Sequence, residues 1–248
     1  MKKFGLIGYP LSHSFSKKYF TEKFLKMGLS DHQYDLYPIE QAEMLQEILD
    51  NNPEIRGINV TIPHKIAVIP LLSRVDDSAK GVGAVNVIKV ERDSNGMPIL
   101  IGYNSDVYGF RESLKPLLKP HHKKALILGT GGASKAVEYA LKELNIEYRF
   151  VSREGDINKL IYSELDEATL NEYTVIVNCS PLGTYPNVES CPAIPYEFLT
   201  SNHLLFDLVY NPEETLFMKK GKEHGAAVKN GLEMLHLQAE RAWAIWNG

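Results

Sequence analysis

Only two cysteines, Cys179 and Cys191, occur among the 248 residues. That number excludes a disulfide framework and fits a reducing compartment. A basic excess is also missing: 27 Lys and Arg stand against 31 Asp and Glu, for a net charge of −4. The lysines are scattered, so nucleic acid is not an expected partner. No apolar stretch approaches the roughly 20 residues of a membrane span. The run behind Lys2 and Lys3 stops at Gly8 and Pro10, too soon for a secretion-signal core. The expectation is a cytoplasmic protein with no membrane contact. The histidines lack metal-ligand spacing, His121 and His122 being adjacent in a Pro- and Lys-rich connector, and no metal is expected. Internal repeats and low-complexity segments do not occur.

Hydrophobic residues make up 44% and charged residues 23%, ordinary values for a globular chain with ample core material. The length suits one large or two modest domains. Phe4–Ile7, Tyr34–Ile39 and Ile55–Thr61 read as strands, with helices expected over Ser16–Met27 and Glu40–Leu49. Phe20, Phe24 and Met27 form one face of the first helix, and Gly28 suits the position just past its end. Ala84–Val90 and Ile99–Tyr103 flank Asn95-Gly96, a hairpin signal. The first part is therefore expected to be a mixed sheet with helices.

A second unit is expected from Asp106, with Val107, Phe110, Leu114 and Leu117 on one helix face. Strands follow at Ala125–Gly129, Tyr148–Ser152, Val175–Cys179 and Leu204–Val209. Their alternation with helices predicts a parallel, doubly wound sheet of Rossmann type. The last helix, Gly231 to Trp246, is detached from this strand series and is expected to return to the first domain. The fold class is thus α/β in two domains.

Between the strand at 125 and its helix lies Gly129-Thr130-Gly131-Gly132-Ala133-Ser134. Gly129 allows the tight turn, and Gly131 lets the backbone approach a pyrophosphate. The first-turn N–H groups then face the phosphates. Ser134 stands where a third glycine is usual. About 20 residues on, the next strand should present the group that reads the adenosine ribose. Here it ends in Ser152-Arg153-Glu154. A guanidinium suits the extra phosphate of NADP, and an acid suits the free ribose hydroxyls of NAD.

Asn59-Val60-Thr61-Ile62-Pro63-His64-Lys65 carries the densest information. A strand is expected to end near Thr61 and a helix to begin at Pro63, which has no N–H to leave unpaired. Lys65 would then sit in the first helical turn, where backbone dipoles disfavour a cation and favour release of its proton. Ser12-His13-Ser14-Phe15-Ser16 opens the first helix. Its hydroxyls suit a carboxylate cradle, although capping by Ser16 explains one of the serines. Asn86 stands at the start of a strand, a poor place for an amide unless it bonds a turn or a ligand. Asp106 suits a helix N-cap or first turn. Cys179 reads as a core thiol or a strand-end residue, and Trp243 and Trp246 as a packing face.

Together these motifs resemble the shikimate dehydrogenase family in its bacterial biosynthetic form. The likeness runs from Gly8-Tyr9-Pro10 through Ser14-x-Ser16, Asn59 to Lys65, Gly83-Ala84-Val85-Asn86 and Asn104-x-Asp106. It continues through the glycine loop, Asn178 to Leu182, Asp207-x-x-Tyr210-x-Pro212, Gly231-x-x-Met234-Leu235 and Gln238-Ala239. The resemblance implies reduction of 3-dehydroshikimate to shikimate with NADPH, in the pathway to chorismate and the aromatic amino acids. It makes Lys65 and Asp106 the catalytic pair. Ser14 and Ser16 take the substrate carboxylate, with Tyr210 nearby, while Thr61, Asn86 and Gln238 bond its ring hydroxyls. Gly129, Gly131, Gly132, Ala133, Ser134, Ser152, Arg153 and Gly231 fall to the cofactor. Residues 1–105, completed by 232–248, become the substrate domain and 106–231 the NADP domain, with the active site in the cleft between them. The family's usual Asn-Arg-Thr cofactor stretch is Ser152-Arg153-Glu154 here, so NAD stays open beside NADP. The resemblance also implies that a terminal helix found in some members is missing after Trp246. The assembly is expected to be a monomer or homodimer. Three rival readings remain: a catabolic quinate/shikimate dehydrogenase working with NAD, a folate-linked dehydrogenase of related layout, and a silent nucleotide-binding regulator.

Overall fold

Phe4, Leu6 and Ile7 are all buried in β1 (Lys2–Gly8). A strand with parallel neighbours and both faces covered reads this way, as an unbroken apolar run. Residues 1–11, 14–154 and 159–248 are described in the computed structural model. Ser12 and His13 of the serine cluster lie outside them.

Unit 1 comprises Met1–Ser105 and Gln238–Gly248, and unit 2 comprises Asp106–Leu237. In unit 1, β1 is followed by α1 (Phe15–Lys26), β2 (His32–Pro38), α2 (Leu45–Asn51) and β3 (Ile55–Val60). Then come β4 (Arg74–Val75), α3 (Asp77–Val82), β5 (Val87–Arg92) and β6 (Pro98–Tyr103). The sheet order is β2-β1-β3-β5-β6-β4. β1 runs parallel to β2 and β3, whereas β3–β5 and β5–β6 are antiparallel. The mixed sheet is as expected. Alternation along β1 sends Ile7 into a cluster with Leu45, Leu49, Ile58 and Ile88, and sends Phe4 and Leu6 into another with Phe20, Phe24 and Tyr34.

Unit 2 takes over within α4 (Ser105–Leu114). It continues with β7 (Lys124–Leu128), α5 (Gly132–Glu143), β8 (Glu147–Ser152), β9 (Lys159–Ile161), α6 (Glu167–Glu172) and β10 (Val175–Asn178). β11 (Leu204–Asp207), α7 (Leu216–Glu223), β12 (Ala227–Lys229) and α8 (Leu232–Asn247) complete the chain. The sheet order is β12-β11-β10-β7-β8-β9, and every neighbouring pair is parallel. α5, α6 and α7 connect β7 to β8, β9 to β10 and β11 to β12, and the strand order is that of a doubly wound sheet.

The C-terminal half of α8 belongs to unit 1. Trp246 packs 5.0 Å from Phe4 and 5.1 Å from Phe20, ring centre to ring centre, and its Nε1 donates to Ile88 O at 3.1 Å. Its indole lies flat against Gly57 of β3, so that any Cβ added there would overlap the ring. Gly57→Ala is therefore expected to cost ~1–3 kcal/mol by overpacking, a fall of about 3–10 °C in Tm. Thermal unfolding checks this, and an unchanged Tm would show that the indole can yield.

Three expected elements differ. α1 begins at Phe15 rather than Ser16, because Ser14 takes the extended cap conformation and its hydroxyl accepts from Lys17 N–H. The helix expected over Glu40–Leu49 is a short 3₁₀ turn, Ala42–Met44, followed by α2. No helix starts at Pro63: residues 62–68 form a series of turns. β4, β9, β12, α3, α6 and α7 were not expected from the sequence. Two or three residues are too few to set up a strand period, and six to eight barely two helical turns.

Candidate active site

Backbone hydrogen bonds draw the motif residues of unit 1 to one end of its sheet. Thr61 N–H donates to Ile7 O at 3.0 Å and Tyr9 N–H to Ile62 O at 3.0 Å, so the segments leaving β1 and β3 run side by side. Val60 N–H donates to Asn86 O at 2.9 Å, and Val85 N–H to Lys65 O at 2.7 Å. Thr61, Lys65 and Asn86 thus stand on adjoining segments. Ser14 and Ser16 open α1, which follows β1 at the same end. Gln238 lies on α8, one turn before the buried Ala242.

The setting of Lys65 differs from the expectation. Its carbonyl is taken by Val85, and Ile69 N–H turns instead to Ile66 O at 3.1 Å. A tertiary bond has replaced the i→i+4 bond on which a helix would build, so no helix dipole acts on the ammonium. The turn holds the half-buried Lys65 through its backbone.

A line of buried polar groups backs this end of the sheet. Tyr34 O–H donates to Asn59 Oδ1 at 2.7 Å, and Asn59 Nδ2 donates to Asn86 O at 3.4 Å. Ser16 lies within hydrogen-bonding reach of the Tyr34 phenol, which burial pushes up. Asn86 Oδ1 accepts from Ser105 N–H at 2.7 Å, and its Nδ2 donates to Ser105 Oγ at 3.1 Å. Asn86 therefore fastens the start of α4, a bond that accounts for an amide just before β5. Asp106, the next residue, is buried in the first turn of α4, where a carboxylate is favoured. Lys65 falls in unit 1 and Asp106 in unit 2. Tyr34 escaped the sequence reading, because a tyrosine in an amphipathic strand carries no sign of a polar partner.

In unit 2 the glycine loop leaves β7 with Gly129 at φ +104°, a conformation that favours glycine. Gly129 N–H donates to Val151 O at 2.8 Å, tying the loop to the end of β8. Gly131 caps α5 with extended backbone and no side-chain cap bond. Gly132 and Ala133 follow in the exposed first turn, while Ser134 is buried and returns its hydroxyl to Gly131 O at 2.6 Å. Serine thus fits the third glycine position by folding back on the loop. Ser152 Oγ donates to Glu154 O, curling the end of β8 into a tight turn. Arg153 and Glu154 are exposed on that turn. No ion pair joins Arg153 to a carboxylate among the described residues.

The exposed Tyr210 rides on the segment after β11, whose anchor is Asp207. This fully buried carboxylate accepts from Asn178 Nδ2 at 2.9 Å and Val209 N–H at 3.0 Å on Oδ1, and from Thr215 Oγ1 at 2.6 Å on Oδ2. Burial nevertheless pushes its carboxyl up to about 6. Burial, then the Asp207 charge, push up the thiol of the half-buried Cys179, just past the end of β10, which suits an inert strand-end residue. Gly231 donates to Val209 O at 3.1 Å, and a Cβ there would strike the Leu208 backbone. Close chain approach explains that glycine. Among the described residues, no group of three or more His, Cys, Asp or Glu could hold a metal ion. No described helix is long and apolar enough to cross a membrane.

Fold and site define a two-unit α/β protein with a Rossmann-type sheet and a separate polar constellation on a mixed sheet. Residues 6–88 match the family model described as the shikimate dehydrogenase substrate binding domain. The chain is 39% identical to a shikimate dehydrogenase (NADP(+)) of Carboxydothermus hydrogenoformans, over 98% of this chain and 91% of that one. A counterpart from Methanococcus aeolicus is 34% identical over 100% and 92%. The structure of shikimate 5-dehydrogenase from Thermus thermophilus, in complex with NADP(H) and shikimate, superposes with a TM-score of 0.84. It is 30% identical and matches 100% of this chain and 94% of that one. The chain belongs to the shikimate dehydrogenase family.

Proposed function

We propose that this chain catalyses the reversible, NADPH-dependent reduction of 3-dehydroshikimate to shikimate, in the cytoplasm, on the way to chorismate and the aromatic amino acids. It does so as a monomer or homodimer. The observation that carries this reading is the gathering of Ser14, Ser16, Thr61, Lys65 and Asn86 at one end of the unit 1 sheet, in a chain whose relatives are shikimate dehydrogenases. Unit 1 is the substrate domain and unit 2 the cofactor domain.

The cofactor site fits a dinucleotide. Gly129 makes the turn, the first-turn N–H groups of α5 are not capped by a side chain, and Arg153 offers a guanidinium for a phosphate. Bound there, the nicotinamide supplies the hydride. The Ser14 and Ser16 hydroxyls take the substrate carboxylate, and Thr61, Asn86 and Gln238 orient the ring hydroxyls. Tyr210 is assigned to the carboxylate side of the substrate. Lys65 donates a proton to the carbonyl oxygen as it becomes an alkoxide, and Asp106 orients Lys65 and shares its proton. Holding ketone and hydride donor in register supplies the rest of the acceleration.

Initial rates with shikimate and with quinate, each with NADP and with NAD, test the reading. Shikimate with NADP is expected to give the highest kcat/KM. Absence of turnover with all four pairs would leave a silent nucleotide-binding protein. A second reading has one observation in its favour: quinate dehydrogenase from Corynebacterium glutamicum, in complex with NAD, superposes with a TM-score of 0.86 at 25% identity. Quinate with NAD as the best pair would establish it.

A further inference from the structure

The end of β8 holds two charges of opposite sign where a Rossmann-type unit meets the adenosine ribose. Arg153 and Glu154 are both exposed, and neither is neutralised by a neighbour among the described residues. The Ser152 hydroxyl, by donating to Glu154 O, turns the backbone back toward the strand end instead of letting it run on. Val151, two residues before Arg153, accepts from Gly129. The turn is therefore tethered to the loop that faces the phosphates, and both side chains start from the ribose end of the site.

We infer that Glu154 is a coenzyme-specificity residue that opposes Arg153, lowering this protein's preference for the 2′-phosphorylated dinucleotide and leaving its site open to NAD(H). The inference rests on the functional reading above and deepens it. The physics is a contest at one position. A guanidinium attracts a 2′-phosphate whose charge approaches −2. A carboxylate on the residue next to that guanidinium would repel the same phosphate, weakening binding about three- to tenfold at physiological salt. With a plain ribose the carboxylate instead accepts from the 2′- and 3′-hydroxyls.

The test uses the full chain as wild type, Glu154→Gln, Glu154→Thr and Arg153→Ala. Calorimetric titration with adenosine 2′,5′-bisphosphate and with AMP reads the site without turnover. Both Glu154 variants are expected to bind the bisphosphate about three- to tenfold more tightly, with AMP unchanged or weaker. The gain should shrink in 0.5 M salt, because the repulsion is screened with a Debye length near 4 Å there. Arg153→Ala is expected to lose about tenfold for the bisphosphate only. Initial rates should follow: the NADP KM of the Glu154 variants falls while kcat stays within about twofold, and the ratio of NADP to NAD efficiency rises. Unchanged bisphosphate affinity in both Glu154 variants, or equal changes for bisphosphate and AMP, would overturn the inference. Failure of the wild type to oxidise shikimate would strike the functional reading alone, since the nucleotide titrations stand without it.

Discussion

Lys65→Met is expected to lower kcat by about 10²–10⁴-fold, the usual worth of a positioned proton donor, with the KM for shikimate changed only a few-fold. Methionine keeps the length and most of the apolar stem and removes only the ammonium. The backbone of Lys65 is held independently of its side chain, through the bond from Val85 N–H at 2.7 Å. The turn over residues 62–68 should therefore survive the substitution, and loss of rate would report chemistry rather than misfolding. A donor that acts on the developing alkoxide serves the transition state more than the ground state, so the effect falls on kcat. Steady-state rates, with circular dichroism as the control for folding, decide the matter. A kcat near the wild-type value would remove Lys65 from the reaction.

Asp207→Ala is expected to destabilise unit 2 by about 3–5 kcal/mol, because three donors aimed at the carboxylate would lose their acceptor in the interior. Asp207→Asn should cost far less. Its Oδ1 can keep the bonds from Asn178 and Val209, and its Nδ2 can donate to Thr215 Oγ1 once that hydroxyl rotates. The pair also has a pH signature. Burial raises the folded-state carboxyl to about 6 from an unperturbed 3.8. Between those values the folded protein holds a proton that the unfolded chain has released. The stabilisation is complete below about pH 4 and is lost as pH rises through about 6, a change of ~3 kcal/mol. Asp207→Asn carries no such proton. Its stability relative to wild type should therefore improve from pH 4.5 to pH 7.5, as read by denaturant unfolding at each pH. A constant difference across that range would contradict the assignment. Tyr210 is expected to feel the alanine variant, because the segment that carries it hangs from Asp207 through Val209 and Thr215.

The residues differ in how openly they declare their roles. The glycine loop was legible because its geometry is local: a buried strand, a residue at positive φ and a helix N-terminus follow one another within about ten positions. The return of the last helix was legible as well, since an amphipathic helix rich in tryptophan needs a core to bury itself in. The setting of Lys65 was not legible. The helix expected at Pro63 follows from local rules alone, and those rules do not know that Val85 will claim the Lys65 carbonyl. The capping role fell to Ser14 rather than Ser16, because a shift of two residues costs little in propensity and the extended conformation of Ser14 decides it. Asp207 shows in the sequence as the head of the Asp207-x-x-Tyr210-x-Pro212 motif, with no sign of its burial or its partners. Its three donors come from positions 178, 209 and 215, which only folding assembles.

Periodicity and turn chemistry by themselves determined the α/β class, the mixed sheet followed by the parallel one and the strand–glycine loop–helix unit, and the resemblance of the motifs pointed to the family. Each of these is written in contiguous residues or in a pattern that a single element must satisfy. Tertiary structure alone decided which carbonyl a turn surrenders, which serine caps α1, which asparagine pins α4 and which buried acid holds the Tyr210 segment. Those choices are competitions between hydrogen-bond partners far apart in the chain, and burial settles them by making every unpaired polar group too costly to leave.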